Sequence, residues 1–511
     1  MRESELDCHA IIRSLDRFTD TTGKLVSAAI LFMLIAINYV CFARYLIGKS
    51  TSWVAETSVM ANGAAFMLGC GYALLRRAHV RTDLFWDRYS GRTKVAIDLV
   101  SYLLLFFPVM LAILWIGIGL MKQDDFVAVP MFILMGYLCA HSGVVDRMFH
   151  AFRRLFAPVP GALYLVVLLT ATLFAIAAGT VSVRVALIGI VAGPMMIKAG
   201  YDAGMSAGAI TAGGTLGILI PPSVMPVVMG PVIGVSVGKL YEAALGPGLL
   251  LAAMYVVYTM IRSFVNPRLG PPMPLEERPK SLGPVLMECL LGLLPLTVLT
   301  LFALGAILAG LTSTAEAAAL GALGAILLAI VHERFTWNGL LKACDDTLAT
   351  TSMVMFLAVT SNIFGSVFAR LGTAGWINDA LLSMGLPSTA TMALVLCALF
   401  LLSWPFEWPA IVFIFVPVFV PVAMSAYYLK RVVSDWNVGT IARGMRQFLA
   451  IQCVAIALVL LFPAIVMWLP TTLERRPAGT AWDWMLDVWD ANHLELIERG
   501  DEMTPDGPPG G

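Results

Sequence analysis

Charge is scarce in this chain. Asp, Glu, Lys and Arg make up only 13% of its 511 residues, and 33 basic residues cancel 33 acidic ones. No net field exists to draw in nucleic acid, so that function class is excluded. Cysteines occur singly, at Cys8, Cys41, Cys70, Cys139, Cys289, Cys344, Cys397 and Cys453, with no C-x-x-C to hold a metal or a redox pair. They are expected to be small buried hydrophobes. The six histidines form no H-E-x-x-H, so a zinc site has no ligands to build from. The phosphate cradle G-x-x-x-x-G-K-[ST] is absent, which argues against ATP hydrolysis. Gly234-Val-Ser-Val-Gly238 fits G-x-S-x-G, but a nucleophile elbow needs a strand before it and a helix after it. This chain offers no such sheet, and Ser236 reads as a chance match in a loop. The expectation is a protein that is not an enzyme and has no organic cofactor.

What the chain has in excess is apolar length. Hydrophobic residues make up 59% of it and the mean hydropathy is +0.85, more apolar surface than one water-soluble core hides. An all-α polytopic membrane protein is expected. The first seven residues carry mixed charge without the basic start and small-residue cleavage site of a signal peptide, so the first apolar run is expected to be a retained helix. About twenty apolar residues span the hydrocarbon layer as a helix, and on that ruler roughly a dozen transmembrane or re-entrant elements appear. They lie near 24–47, 54–75, 95–121, 126–143, 162–197, 205–232, 247–263, 283–310, 314–332, 350–370, 391–424 and 448–470. A straight helix from Leu163 to Ile197 would be about 52 Å long, so that run has to fold back or break.

Basic residues orient the spans. Arg76, Arg77, Arg81, Arg88, Arg92 and Lys94 follow the second one, Lys122-Gln-Asp-Asp125 is short and acidic, and Arg147, Arg153 and Arg154 come next. That alternation places the N-terminus in the cytoplasm. Residues 78–89 suit a short helix in the headgroup layer or a plain charged loop. The proline-rich stretch 266–280 is the best internal linker and allows motion of the halves it joins. After Pro470 the composition turns polar, and residues 472–511 read as a disordered tail, with one short amphipathic helix around Trp482 to Leu496.

The most informative stretch is Ala212-Gly-Gly-Thr-Leu-Gly-Ile-Leu-Ile-Pro-Pro-Ser223. Pro221 and Pro222 remove two amide donors and free the carbonyls of Gly217 and Ile218. Such carbonyls, with the Thr215 hydroxyl, are hard oxygen ligands of the kind a desolvated small cation needs. A broken helix at mid-membrane is therefore a candidate cation or substrate site; the rival reading is a proline kink at a glycine-lined packing interface. In the long run, Gly179, Thr180 and Ser182 are small or hydroxylated where the chain turns back, which suggests a re-entrant hairpin whose tip faces 213–223, with two ordinary helices and a buried turn as the alternative. Arg184 either clamps a carboxylate or snorkels to the interface. A partial second copy of the pattern, Ser403-Trp-Pro-Phe-Glu-Trp-Pro409, places Glu407 either at a cation or proton site or in an aromatic belt. Ser313-x-x-Glu316 reads as a capping box. Asp345 and Asp346 read as a solvated helix start.

These residues carry a resemblance. Phe126-Val-Ala-Val-Pro-Met-Phe-Ile-Leu-Met-Gly136, the stretch 212–223, Gly234-Val-Ser-Val-Gly-Lys239, Ser313-Thr-Ala-Glu-Ala-Ala-Ala319 and Leu461-Phe-Pro-Ala-Ile-Val-Met-Trp-Leu-Pro470 together resemble the large membrane subunit of TRAP (tripartite ATP-independent periplasmic) transporters over 124–471. Residues 1–123, with Trp53, Glu56, Gly69 and the stretch 77–83, resemble the small subunit, so the chain looks like a fused small and large permease. The resemblance implies a bacterial inner-membrane permease built from inverted repeats with helical hairpins, moving as an elevator. It implies Na+-coupled uptake of an organic acid, of the carboxylate or sialic acid class, delivered by a periplasmic solute-binding protein. Carried over residue by residue, the sodium site would fall on Gly179, Thr180, Gly214, Thr215 and Gly217, and the substrate pathway on Ser182, Arg184, Pro221, Pro222, Ser223 and Glu407.

Three departures stand beside it. The hairpin tip is not serine-rich; no room exists before Phe126 for the small subunit's last helix or the large subunit's first ones; and a second Thr-Pro-Pro break is missing after Ser425. A non-transporting or impaired scaffold is therefore the alternative reading.

Overall fold

The computed structural model describes residues 2–48, 52–76, 90–101, 124–175, 181–233, 235–274, 281–370 and 438–474, with a few single positions elsewhere. Among them the chain is helical without a strand, and seven helices are long and apolar enough to cross a membrane. The protein is an all-α polytopic membrane protein.

The N-terminal helices α1 (Arg2–Phe42) and α2 (Ser52–Leu75) pack along each other, and α3 (Gly91–Ser101) follows. Next come α4 (Ala128–His141) and α5 (Val144–Leu155), bent by 57° at a break. Gly143 makes that corner at φ 71°, a backbone region costly for residues with a Cβ. Helix α5 is strongly two-faced: Val144, Val145, Met148, Phe149 and Phe152 are buried, while Asp146, Arg147, His150 and Arg154 face outward.

The run at 162–197 carries two helices, α6 (Ala162–Ala175) and α7 (Val181–Lys198), and residues 176–180 between them lie outside the described residues. Helix α8 (Ala203–Leu219) begins at Asp202, whose carboxylate accepts the Met205 amide at 2.7 Å. Every residue of α8 from Met205 to Ile218 is buried, as suits a helix that is apolar all round. Helices α9 (Val224–Ile233) and α10 (Val237–Val265) follow. Helix α10 starts ten residues earlier than the hydropathy suggests because Ser236 caps it, accepting the Lys239 amide at 3.4 Å. The G-x-S-x-G match is thus a helix start.

Then come α11 (Leu282–Leu308), α12 (Thr314–Val331) and α13 (Trp337–Arg370). The capping box at Ser313 and Glu316 is present in both directions. Asp345 and Asp346 do not open a helix: Thr336 accepts the Gly339 amide at 3.1 Å, which sets the start of α13 earlier. Leu340, Ala343, Cys344 and Leu348 give the added turns a buried stripe. Helices α14 (Val438–Leu461) and α15 (Ala464–Glu474) end the described chain, parted at Phe462 and Pro463.

Two packed groups emerge. One gathers α1, α2, α4, α12 and α13; the other gathers α6, α7, α8, α10 and α14. Within the first, Arg44 pairs with Glu316 at 2.8 Å, the Asn38 amide donates to the Ala319 carbonyl at 3.1 Å, and Tyr45 donates to the Leu311 carbonyl. The N-terminal region is thereby tied to the start of α12.

The proline-rich stretch expected to be an internal linker is, over residues 269–273, a packed strap. The Leu269 carbonyl accepts both the Tyr164 hydroxyl, at 2.6 Å, and the Asp202 amide, at 3.0 Å. Gly161 donates to Gly270 at 2.8 Å and Met273 to Ala157 at 3.1 Å. The strap fastens the start of α6, the start of α8 and the end of α10 to one another. Cys41, Cys70, Cys139, Cys289 and Cys344 are buried as expected, whereas Cys397 and Cys453 are exposed.

Candidate functional site: the interrupted helix

Helix α8 stops at Leu219 and the chain resumes as α9 at Val224, with Ile220, Pro221, Pro222 and Ser223 buried between them. The interruption expected from the two prolines is therefore real, and it lies inside the protein rather than against lipid. The Gly217 carbonyl would meet residue 221 in a continued helix and finds a proline, which has no N–H. The Ile218 carbonyl loses its partner in the same way, but the Ser223 hydroxyl donates to it at 2.7 Å. Of the two carbonyls expected to be free, one is capped. Tyr241 of α10 holds the far side of the break, donating to the Ser223 carbonyl at 3.0 Å.

Thr215 is buried, one turn before the break, and its hydroxyl donates to the Ala212 carbonyl at 2.8 Å. That bond commits the hydroxyl hydrogen and leaves the oxygen its lone pairs. Thr215 can then accept from a donor or ligate a cation.

Glycines set how closely the neighbours approach. A Cβ on Gly214 would collide with Val185 of α7, and one on Gly213 would lie 2.8 Å from Ala171 of α6. Both limbs of the long run are thus pressed against 213–214, as the hairpin reading requires. The same contacts make Gly213 and Gly214 packing glycines, so the packing reading holds at these two positions alongside the interrupted backbone a few residues on.

Of the residues expected at a sodium site, Gly214, Thr215 and Gly217 lie on one buried stretch of α8. Gly179 and Thr180 lie outside the described residues, as does Glu407. Ser182 and Arg184 fall in the first turn of α7, and their side chains are also outside the description. Pro221, Pro222 and Ser223 form the interruption itself, with the Ser223 hydroxyl committed to Ile218.

Sequence reasoning missed Tyr241, Tyr255 and Gln452. Tyr255 of α10 is fully buried, its hydroxyl has no hydrogen-bond partner among the described residues, and its ring lies edge-on to Phe448 of α14 at 5.3 Å; Gln452, one turn further along α14, is buried too. A signal for Gln452 existed: it is the one amide side chain in the apolar run 448–461, where an uncharged polar group needs a partner. The tyrosines carried none, since an aromatic residue in an apolar helix reads as core.

Comparison with known proteins gives this geometry a family. The profile of the tripartite ATP-independent periplasmic transporter, DctM component, matches residues 91–428. The C4-dicarboxylate TRAP transporter large permease protein of Pseudomonas aeruginosa is 28% identical over 58% of this chain and 68% of its own. The sialic acid TRAP transporter large permease protein of Vibrio cholerae is 27% identical over 68% of this chain and 87% of its own. The ectoine TRAP transporter large permease protein of Halomonas elongata is 26% identical over 59% of this chain and 69% of its own. The chain belongs to the DctM family of tripartite ATP-independent periplasmic transporters, and is a multi-pass membrane transport component rather than an enzyme.

Proposed function

We propose that this chain is the permease of a Na+-coupled uptake system for an organic acid of the carboxylate or sialic acid class, seated in a bacterial inner membrane with its N-terminus in the cytoplasm and supplied by a periplasmic solute-binding protein. One observation carries the coupling: a buried helix is interrupted where the Gly217 carbonyl faces a proline nitrogen and the Thr215 oxygen keeps its lone pairs. Oxygen atoms with free lone pairs, held in a buried site, suit a small hard cation. Gly179 and Thr180 would complete the site, and Ser182, Arg184 and Glu407 would line the path of the anion. The substrate class draws on relatives named for C4-dicarboxylates and for sialic acid.

Residues 1–123 take the place of a small permease subunit in this reading, supported by the ties of α1 to α12. An elevator motion is part of it: the group containing α6, α7, α8, α10 and α14 would slide past the group containing α1, α2, α4, α12 and α13. The strap supports that division, since the segments it joins all belong to the first-named group.

The test is uptake of a radiolabelled dicarboxylate or sialic acid into proteoliposomes supplied with the cognate binding protein, with sodium or potassium outside. Sodium-dependent accumulation is expected. Equal uptake in both salts would remove the coupling, and no uptake in either would favour the scaffold reading raised by the missing second Thr-Pro-Pro.

A further inference from the structure

The interrupted helix has a splint. Helix α8 ends at Leu219, and beyond the break α9 leans on α4 of the other packed group as well as on α10. The last turn of a helix frays unless something outside it holds it. One face of α10 does so along the break. Gly248 lies against Ile220, where a Cβ would be 2.9 Å from the isoleucine side chain. Two turns away on that face, the Tyr241 hydroxyl donates to the Ser223 carbonyl at 3.0 Å. Ser223 in turn donates its own hydroxyl to the Ile218 carbonyl at 2.7 Å. Tyr241, Gly248, Ile218, Ile220 and Ser223 are all buried. A line of hydrogen bonds thus runs from α10 through residue 223 to the turn of α8 that carries Gly217.

We infer that Tyr241 is a positioning residue for the cation site: its hydrogen bond to Ser223 fixes the far side of the break and, through Ser223, the last turn of α8. This rests on the proposed role of Thr215 and the Gly217 carbonyl as sodium ligands. A site whose oxygens are already held binds an ion more tightly than one that has to order them first. If the break adopts its binding arrangement in only a fraction of molecules, the apparent affinity falls by that fraction. The bond from Tyr241 goes to residue 223, so Tyr241 acts on the site through Ser223. Phenylalanine at 241 keeps the ring in its buried seat and removes the donor alone. The same helix supplies a control. Tyr258, about 25 Å further along α10, donates its hydroxyl to Gln447 Oε1 at 2.7 Å, away from the break.

The experiment titrates sodium chloride against potassium chloride, at constant total salt, into the purified full chain in detergent and follows the unfolding temperature. The readout is the sodium concentration giving half of the stabilisation. Tyr241→Phe is expected to raise it between about two-fold and ten-fold, the range that one hydrogen bond covers. Tyr258→Phe is expected to lower the unfolding temperature in potassium but to leave the sodium half-saturation within about two-fold of the wild type. Tyr241→Leu serves the same comparison if the phenylalanine variant is not recovered folded. A purely structural role for Tyr241 lowers the unfolding temperature in potassium without moving the sodium half-saturation, and that result overturns the inference. So does a Tyr258→Phe shift as large as that of Tyr241→Phe, since the effect then does not pass through the break. Thr215→Ala separates this from the reading beneath it. If Thr215→Ala leaves the sodium response intact, or the wild type shows none, the cation site itself is refuted and the role of Tyr241 falls with it. If Thr215→Ala weakens the response while Tyr241→Phe does not, only the role of Tyr241 is refuted.

Discussion

Gly444 of α14 lies against the carbonyl oxygen of Gly204 at the start of α8, so closely that a Cβ on Gly444 would overlap that oxygen. The two helices run side by side from this point, with Phe448 against Gly208 and the buried Gln452 one turn further along α14. Because the obstacle is backbone, no rotamer change relieves it. Gly444→Ala is expected to destabilise the protein by about 1–3 kcal/mol, the usual cost of overpacking. Gly305→Ala is the control, since nothing lies within 4 Å of the added carbon. Thermal unfolding in detergent should lower the midpoint for the first and leave the second unchanged or slightly raised.

The N-terminal region is anchored by an ion pair at a helix cap. One Glu316 oxygen receives Arg44 at 2.8 Å while the other accepts the Ser313 amide at 3.1 Å. The Glu316 side chain is only 7% exposed, so removing Arg44 leaves a buried charge half-served. Arg44→Ala is expected to cost about 1–3 kcal/mol, and Arg44→Ala combined with Glu316→Gln less than the sum of the two, with a coupling of about 0.5–3 kcal/mol. A double-mutant cycle of unfolding midpoints measures it; strict additivity would mean the pair contributes nothing.

The strap should be protease-resistant. Gly270 sits where a Cβ would be 2.9 Å from the Gly161 backbone and 3.0 Å from the Tyr164 ring. Gly270→Val is therefore expected to lift the strap, and limited trypsin digestion should cleave it at Arg268 faster than the wild type. Tyr164→Phe should be milder, about 0.5–1.5 kcal/mol, because Leu269 keeps the Asp202 amide as a donor.

Asp346 carries a pH dependence. Burial raises its carboxyl above the usual carboxylate range, against the opposing pull of Lys342 and His141. A raised value means that the fold prefers the protonated form, so this group's contribution is fully present below its unfolded pKa and is lost as pH rises through the folded one. Asp346→Asn is expected to be more stable than the wild type at neutral pH, and the difference should shrink toward pH 4. Paired thermal melts across that range read it out.

Much of the local chemistry was legible in the sequence. Pro221 and Pro222 announced the interruption, the length of 162–197 announced a break, and Ser313 with Glu316 announced a cap, because each depends on residues a few positions apart. What stayed hidden depends on distant partners. Nothing near Leu269 says that Tyr164 will donate to it, and nothing near Phe448 says that it will pack against Tyr255. Hydropathy also misplaced the starts of α10 and α13, since a capping hydroxyl at Ser236 or Thr336 begins a helix before its apolar run does. The cap that Ser223 gives to Ile218 escaped notice for another reason: proline chemistry says which carbonyls lose an amide, not which side chain replaces it.

The central claim is that the interrupted helix binds sodium through Thr215, and binding of radiolabelled sodium to the purified protein tests it most directly. Saturable binding, displaced by unlabelled sodium and not by potassium, is predicted for the wild type and should weaken about ten-fold or more in Thr215→Ala, the loss of one ligand from a desolvated cation site. Absence of saturable binding in the wild type, or equal binding in the variant, would contradict it.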